Sequence, residues 1–364
     1  MEIARRLPMG AEVQPGGGVH FRVWAPKRRS VAVVLDGGPE VALAPEGDGF
    51  HSGFVAGAAA GSRYKYRLDG GAPLPDMASR YQPEGPHGWS QAVDPGAYRW
   101  RTAGWRGCGL RGQVLTEIHI GTFTPEGTFD AAIAKLPLLR EVGITVVEVM
   151  PVCEFPGRFG WGYDGVQLFA PTRLYGDPDA FRRFVDAAHG LGLGVVLDVV
   201  YNHLGPSGNY WREYSDSFFS DKPTEWGEAI NFDGPGSGPV REFFLANGRY
   251  WVEEYGVDGF RLDATQSIFD DGPSHILAEF GAACRAAAGG REIFIVNENE
   301  PQDCRLVRPA PAGRGLDGLW NDDLHRAAVV AMTGRNEAYF SDFAGTPQEL
   351  VLAVRHGFLY QGQR

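Results

Sequence analysis

Cysteine is scarce in this 364-residue chain: Cys108, Cys153, Cys284 and Cys304 are the only four. None stands in a C-x-x-C pair or at Cys/His metal spacing, so neither a disulfide-built scaffold nor a zinc site is indicated. They read as packing residues in a reducing compartment. Basic charge is also in deficit. The 34 Lys and Arg face 45 Asp and Glu, and the net charge of -11 argues against nucleic acid and anionic membranes, which reward clustered Lys and Arg. No run of about 18 apolar residues is present to span a bilayer. Met1 to Gln14 lacks the apolar core of a secretory signal, so a cytoplasmic protein is expected.

What is present suffices for a large folded body, since hydrophobic residues make up 43% of the chain. The first hundred residues carry short β-rich runs at Val19 to Pro26 and Val31 to Leu35, and Arg63 to Leu68 alternates with period two. Turns such as Gly16-Gly17-Gly18 and Gly37-Gly38-Pro39 separate them, which predicts a small antiparallel β-sandwich over residues 1–108. The Pro- and Gly-rich stretch from Pro73 to Gly107 reads as linker and docking surface.

From residue 109 to 364 strand-like and helix-like segments alternate, the pattern of βα units wound into a parallel barrel. Strands are expected at Val114 to Ile120, Thr145 to Met150, Val195 to Val200, Gly259 to Leu262, Ile293 to Val296 and Gly318 to Trp320. Thr128 and Asp177 are expected to cap helices, with Pro178 in the first turn of the second, and Ser274 to cap a helix reaching Ala287. Six strands fall short of the eight that close such a barrel. The fold class is therefore α/β, a sandwich followed by an incomplete (β/α)8 TIM barrel that stops before a seventh strand.

Three strand ends carry chemistry. Asp263 follows Gly259-Phe260-Arg261-Leu262, Glu298 follows Ile293-Phe294-Ile295-Val296-Asn297, and Asp198-Val199-Val200-Tyr201-Asn202-His203 follows Gly194-Val195-Val196-Leu197. Either acid alone would more often be a helix cap or a surface ion pair. Together they stand where parallel barrels build active sites, and two converging carboxylates suit glycoside hydrolysis. Arg261, two residues before Asp263 and so on the same strand face, can keep that carboxylate ionised.

These segments, with Gly160-Trp161-Gly162-Tyr163-Asp164 and Ile118-His119-Ile120-Gly121-Thr122, resemble the α-amylase superfamily of glycoside hydrolases, and within it the trehalose-releasing members. The resemblance implies that Asp263 is a nucleophile and Glu298 the acid that protonates the leaving oxygen and later activates water, with retention of configuration. It implies that His203 contacts sugar hydroxyls, that Asp198 orients Arg261, and that Tyr163 is a stacking platform. Trp161 reads instead as core. The implied substrate is maltooligosyltrehalose or a related α-glucan, a neutral partner. No cofactor is indicated; Asn202 contributes to a calcium site in some amylases, but no other acidic ligands can be picked out.

The chain departs from the pattern in several places. A third catalytic carboxylate belongs to an Asn-His-Asp segment, and no such tripeptide occurs here. Asp322 and Asp323 follow the sixth strand and do not take that role. Gln266 stands where histidine is usual, Asn297 precedes the acid where a small or apolar residue is usual, and Glu300 competes with Glu298. The expectation is a truncated and nearly inactive hydrolase. Branching or debranching of glycogen and an inactive glucan-binding fragment are the alternatives.

Overall fold

The computed structural model describes residues 3–357 and 359, so most of the terminal segment Gly357 to Gln363 lies outside the described residues. In Arg63–Leu68 the two-residue period of a strand sends Tyr64, Tyr66 and Leu68 into the interior and leaves Arg63, Lys65 and Arg67 half-buried on the other face. This strand belongs to an antiparallel sheet ordered Gly10–Val13, Val19–Trp24, Phe50–Val55, Glu40–Gly47, Val31–Leu35, Arg63–Leu68, Pro73–Leu74, with Ser90–Gln91 also beside Arg63–Leu68. Glu40–Gly47 changes partner along its length. Its first half pairs with Val31–Leu35 and its second with Phe50–Val55, so the sheet folds over a core that includes Phe21, Val33, Tyr64 and Tyr66.

Three of these strands match the sequence expectation and five do not. Pro73–Leu74 and Ser90–Gln91 lie inside the stretch read as linker. That stretch first completes the sheet and then binds the barrel. Asp186 receives hydrogen bonds from Tyr98 Oη (3.1 Å), the Arg101 backbone N–H (3.1 Å) and Nε (3.2 Å), and the Thr102 backbone N–H (3.0 Å) and Oγ1 (2.5 Å). Trp105 stacks on His189 at 4.6 Å and donates to Asp258 (2.8 Å), which also accepts from His189 Nε2 at 2.8 Å and the Val195 N–H at 2.9 Å. Gly107 then runs beside Glu292 at φ +79°, where any Cβ would collide with the Glu292 carbonyl.

The second sheet is parallel throughout. Its strands β1 (Leu115–Ile118), β2 (Val146–Val149), β3 (Gly194–Val199), β4 (Gly259–Leu262), β5 (Phe294–Asn297) and β6 (Gly318–Leu319) lie side by side in chain order. All six were expected, with ends shifted by a residue or two. Strands β2 and β3 are buried along their whole length because both faces are covered. Val146, Val196, Phe294 and Val296 point into the barrel with Leu115 and Trp320, while Val147, Leu197, Phe260 and Ile295 pack outward in the main core. Among the described residues, strands β1 and β6 are paired on one side only.

Helix α1 (Phe129–Ile133) is capped by Thr128, and α2 (Pro178–Gly190) by Asp177 with Pro178 in its first turn, as expected. After α3 (Ser237–Glu254), α4 (Ile276–Ala287) differs. Its cap is His275, whose Nδ1 accepts from the Leu277 N–H at 3.2 Å, because the helix starts one residue late for Ser274. The Ser274 carbonyl accepts instead from Arg241 (2.7 Å). Helix α5 (Asp322–Thr333) follows β6, capped by Asn321.

Candidate active site

Strand pairing carries on past β4 and β5 and brings their acids together. The Asp263 N–H donates to the Val199 carbonyl (3.1 Å) and the Glu298 N–H to the Leu262 carbonyl (2.9 Å). Between them Ala264 adopts a left-handed conformation, φ 41°, which turns its N–H onto Glu298 Oε2 at 2.8 Å. A non-glycine residue there is strained, and the strain is offset by a hydrogen bond to a carboxylate.

One guanidinium joins the strand ends. Arg261 Nη1 lies 2.6 Å from Asp263 Oδ1 and 3.0 Å from both oxygens of Asp198, and Nη2 lies 3.4 Å from Glu298 Oε2. Tyr163 Oη donates to Asp198 Oδ2 at 2.8 Å. Asn202 Nδ2 donates to Asp263 Oδ2 and to the Asp263 carbonyl, both at 3.0 Å, and Asn202 Oδ1 pairs with His203 Nδ1. The His203 ring also bonds the Tyr163 backbone and sits 5.8 Å from the Trp226 ring. All six residues singled out from the sequence, Tyr163, Asp198, His203, Arg261, Asp263 and Glu298, thus share one hydrogen-bonded cluster.

Burial grades the cluster. The Asp198 side chain is fully enclosed, whereas Asp263 is 14% and Glu298 34% exposed. Desolvation raises the Glu298 carboxyl, and Arg261 and the Ala264 N–H pull it partly back. Burial also pushes Asp198 up against the pull of Arg261. For Arg261 burial works toward deprotonation, but Asp198 and Asp263 more than reverse it, so the cation is firmly held. Burial lowers His203 and favours its neutral ring.

Other residues resolve differently. Glu300 is exposed and its N–H meets Gln266 Oε1 at 3.4 Å, so Glu298 rather than Glu300 faces Arg261. Asn297 is buried and ties β5 to the Gly318 carbonyl (3.0 Å). Trp161, expected in the core, is instead 62% exposed. Asn202, to which the resemblance gives no place at the reacting centre, holds Asp263 there, and its position between Asp198 and His203 is the sequence signal for it. Asp322, which the sequence gives no catalytic role, helps raise Glu298 through its charge. Among the described residues no three His, Cys, Asp or Glu side chains gather as a metal site.

Two carboxylates at neighbouring strand ends of a parallel barrel, one beside a cation and one raised toward its acid form by burial, are the kind of pair that glycoside hydrolysis uses. Residues 86–233 match the alpha amylase catalytic domain, and residues 8–96 match carbohydrate-binding module 48, the isoamylase N-terminal domain. The malto-oligosyltrehalose trehalohydrolase of Rhizobium sp. (strain M-11) is 45% identical over 355 residues, 95% of this chain and 59% of that protein. The trehalohydrolase of Deinococcus radiodurans is 41% identical over 360 residues, 98% of this chain and 58% of the relative. A crystal structure from Salmonella typhimurium, classed with the alpha amylases, superposes with a TM-score of 0.91 at 42% identity, covering 97% of this chain and 61% of the other. The chain spans about three-fifths of the length of the relatives it matches.

Proposed function

We propose that this protein hydrolyses the α-1,4 glucosidic bond that frees trehalose from maltooligosyltrehalose, with retention at the anomeric carbon. The observation that carries the reading is the single guanidinium of Arg261 in contact with Asp198, Asp263 and Glu298. Asp263, held in place by Arg261 and by the Asn202 amide, attacks the anomeric carbon while the leaving oxygen takes the Glu298 proton. Glu298, now a carboxylate, then accepts a proton from the water that opens the glycosyl ester. Retention calls for the two carboxyl groups to stand about 5 to 5.5 Å apart. Tyr163 and His203 frame the sugar ring at the cleaved bond, the aromatic face covering its C–H side.

The identity to named trehalohydrolases over nearly the whole chain supports the substrate. The domain division at about residue 108, the sandwich as a glucan-binding module and a cytoplasmic setting complete the proposal; the four cysteines are unpaired and no helix among the described residues is long and apolar enough to cross a membrane. The test is product analysis on maltooligosyltrehalose. Release of free trehalose is expected, and transfer of the glucan to another sugar hydroxyl without trehalose would replace hydrolysis by branching.

A further inference from the structure

Four residues after Glu298 the chain passes through one strained position. Gln302 is 2% exposed and adopts the left-handed conformation at φ 54°, which a side chain other than glycine enters only at a cost. Its amide is fully used. Nε2 donates to the Asn299 carbonyl at 2.8 Å and to the Trp320 carbonyl at 3.0 Å, while Oε1 accepts from the Asp322 N–H at 3.1 Å. Glycine would take this backbone freely and make none of these bonds.

The three bonds cross between strand ends that the sheet itself joins only briefly. β6 pairs with β5 through two residues, Gly318 and Leu319. Two buried amides lengthen that pairing: Asn297 Nδ2 reaches the Gly318 carbonyl at 3.0 Å, and Gln302 takes the Trp320 carbonyl just past the strand. On the β5 side the network runs back to Glu298. The Thr265 N–H and Oγ1 donate to the Glu298 carbonyl at 2.9 and 2.8 Å, and Asn299 Nδ2 donates to Thr265 Oγ1 at 3.2 Å. On the other side Asp322 opens α5, where the first N–H groups have no partner inside the helix; Gln302 supplies one from outside.

We infer that Gln302 is a positioning residue for Glu298: it fixes the start of α5 so that the Asp322 carboxylate bears on Glu298 from the β6 side. The inference rests on the reading of Glu298 as the acid. Arg261 and the Ala264 N–H draw Glu298 toward its anion, and Asp263 and Asp322 oppose them. A neighbouring negative charge keeps the proton on an acid to an extent that depends on their separation, so the separation has to be held. Around Asp322 itself stand Arg326, His325 and Asp323 on α5 and Glu300 after β5, with Arg326 paired to it at 3.2 Å.

The test follows the Glu298 carboxyl by 13C NMR in the full 364-residue chain labelled at glutamate, its signal assigned by its loss in Glu298→Gln, beside the pH profile of trehalose release. Gln302→Gly removes the strain together with the three bonds. The Glu298 titration midpoint should fall by about half a pH unit, and the alkaline limb of kcat should move down with it, because a general acid works only while protonated. Asp322→Asn keeps its N–H bond to Gln302 but removes the charge, and should shift Glu298 in the same direction. Combining the two should shift it no further than the larger single change, since both act through one charge. Gln302→Asn, which keeps an amide and tolerates the left-handed backbone, should restore part of the midpoint. An unmoved Glu298 in Gln302→Gly or in Asp322→Asn, or a combined shift equal to the sum of the two, overturns the inference. The expected shifts alongside no trehalose release from the unaltered chain overturn the hydrolase reading and leave the Gln302–Asp322 arrangement standing.

Discussion

Arg261 reaches three carboxylates with one planar group, so the state of each acid depends on the other two. Asp263→Asn removes the attacking oxygen without altering volume, and kcat should fall at least about 1,000-fold while maltoheptaose still binds. Glu298→Gln should lose on the order of 100-fold to 10,000-fold on natural substrate and recover on a glycoside with an activated leaving group, which departs without a proton. Unchanged turnover in either variant removes that residue from the mechanism. Below this cluster sits Glu148, inward on β2, with Oε1 unpartnered and its carboxyl pushed up to about 8, first by burial and then by Asp198. Glu117 also raises it, Arg261 lowers it, and Trp320 bonds it from across the barrel. A carboxyl raised in the fold binds more protons there than when unfolded, so its share of stability falls as pH climbs from the ordinary carboxylate range toward 8. Glu148→Gln cannot ionise. Its thermal midpoint relative to the unaltered chain should therefore rise between pH 5 and 8, by about 1 to 3 kcal/mol in stability; a pH-independent difference would refute the buried charge.

At the scale of elements, the segment from Tyr98 to Gly107 fastens the sandwich's last strands to the underside of the barrel. Asp186 is the main anchor on α2, because five donors from that segment converge on one enclosed carboxylate. Asp186→Ala leaves those donors without their acceptor and should cost about 2 to 4 kcal/mol. The opening should be local, seen as faster amide exchange over Tyr98–Gly107 while β2 and β3 stay protected. Uniform exchange across the barrel would mean that the segment is not a separate unit. The caps on α1 and α2 were legible in the sequence because Thr128 and Asp177 bond within three residues. The cap on α4 was not, since His275 rather than a more usual capping residue supplies the acceptor.

Over residues 1–364 as a whole, the decisive feature is a parallel sheet that does not close among the described residues. Among the described residues, strands β1 and β6 each leave one edge unpaired, and Val351, Leu352 and Val354 of the helix Pro347–His356 are exposed together with Met332 and Tyr339. Unpaired edges and apolar patches associate. Residues 1–364 purified alone should run larger than a monomer in size-exclusion chromatography with light scattering, and a clean monomer at tens of micromolar would show that these surfaces are satisfied within one chain.

Much of this was legible from the residues alone. Strands β2 to β5 announced themselves as short apolar runs because strands buried on both faces need no alternation, and Asp198, Asp263 and Glu298 stood at strand ends because a parallel barrel gathers strand ends on one rim. Five sandwich strands were not legible, since Glu40–Gly47 is largely exposed and Pro73–Leu74 and Ser90–Gln91 are two residues long, with pairing that depends on partners far along the chain. Local sequence thus determined which side chains were available and on which strand end each sat. Only the tertiary fold decided that Arg261 meets three acids at once, that Asn202 holds Asp263, and that Trp161 faces solvent while Tyr163 faces Asp198. Those relations join residues dozens of positions apart or hang on the left-handed Gly162 between Trp161 and Tyr163, and no local propensity encodes a distance across a barrel.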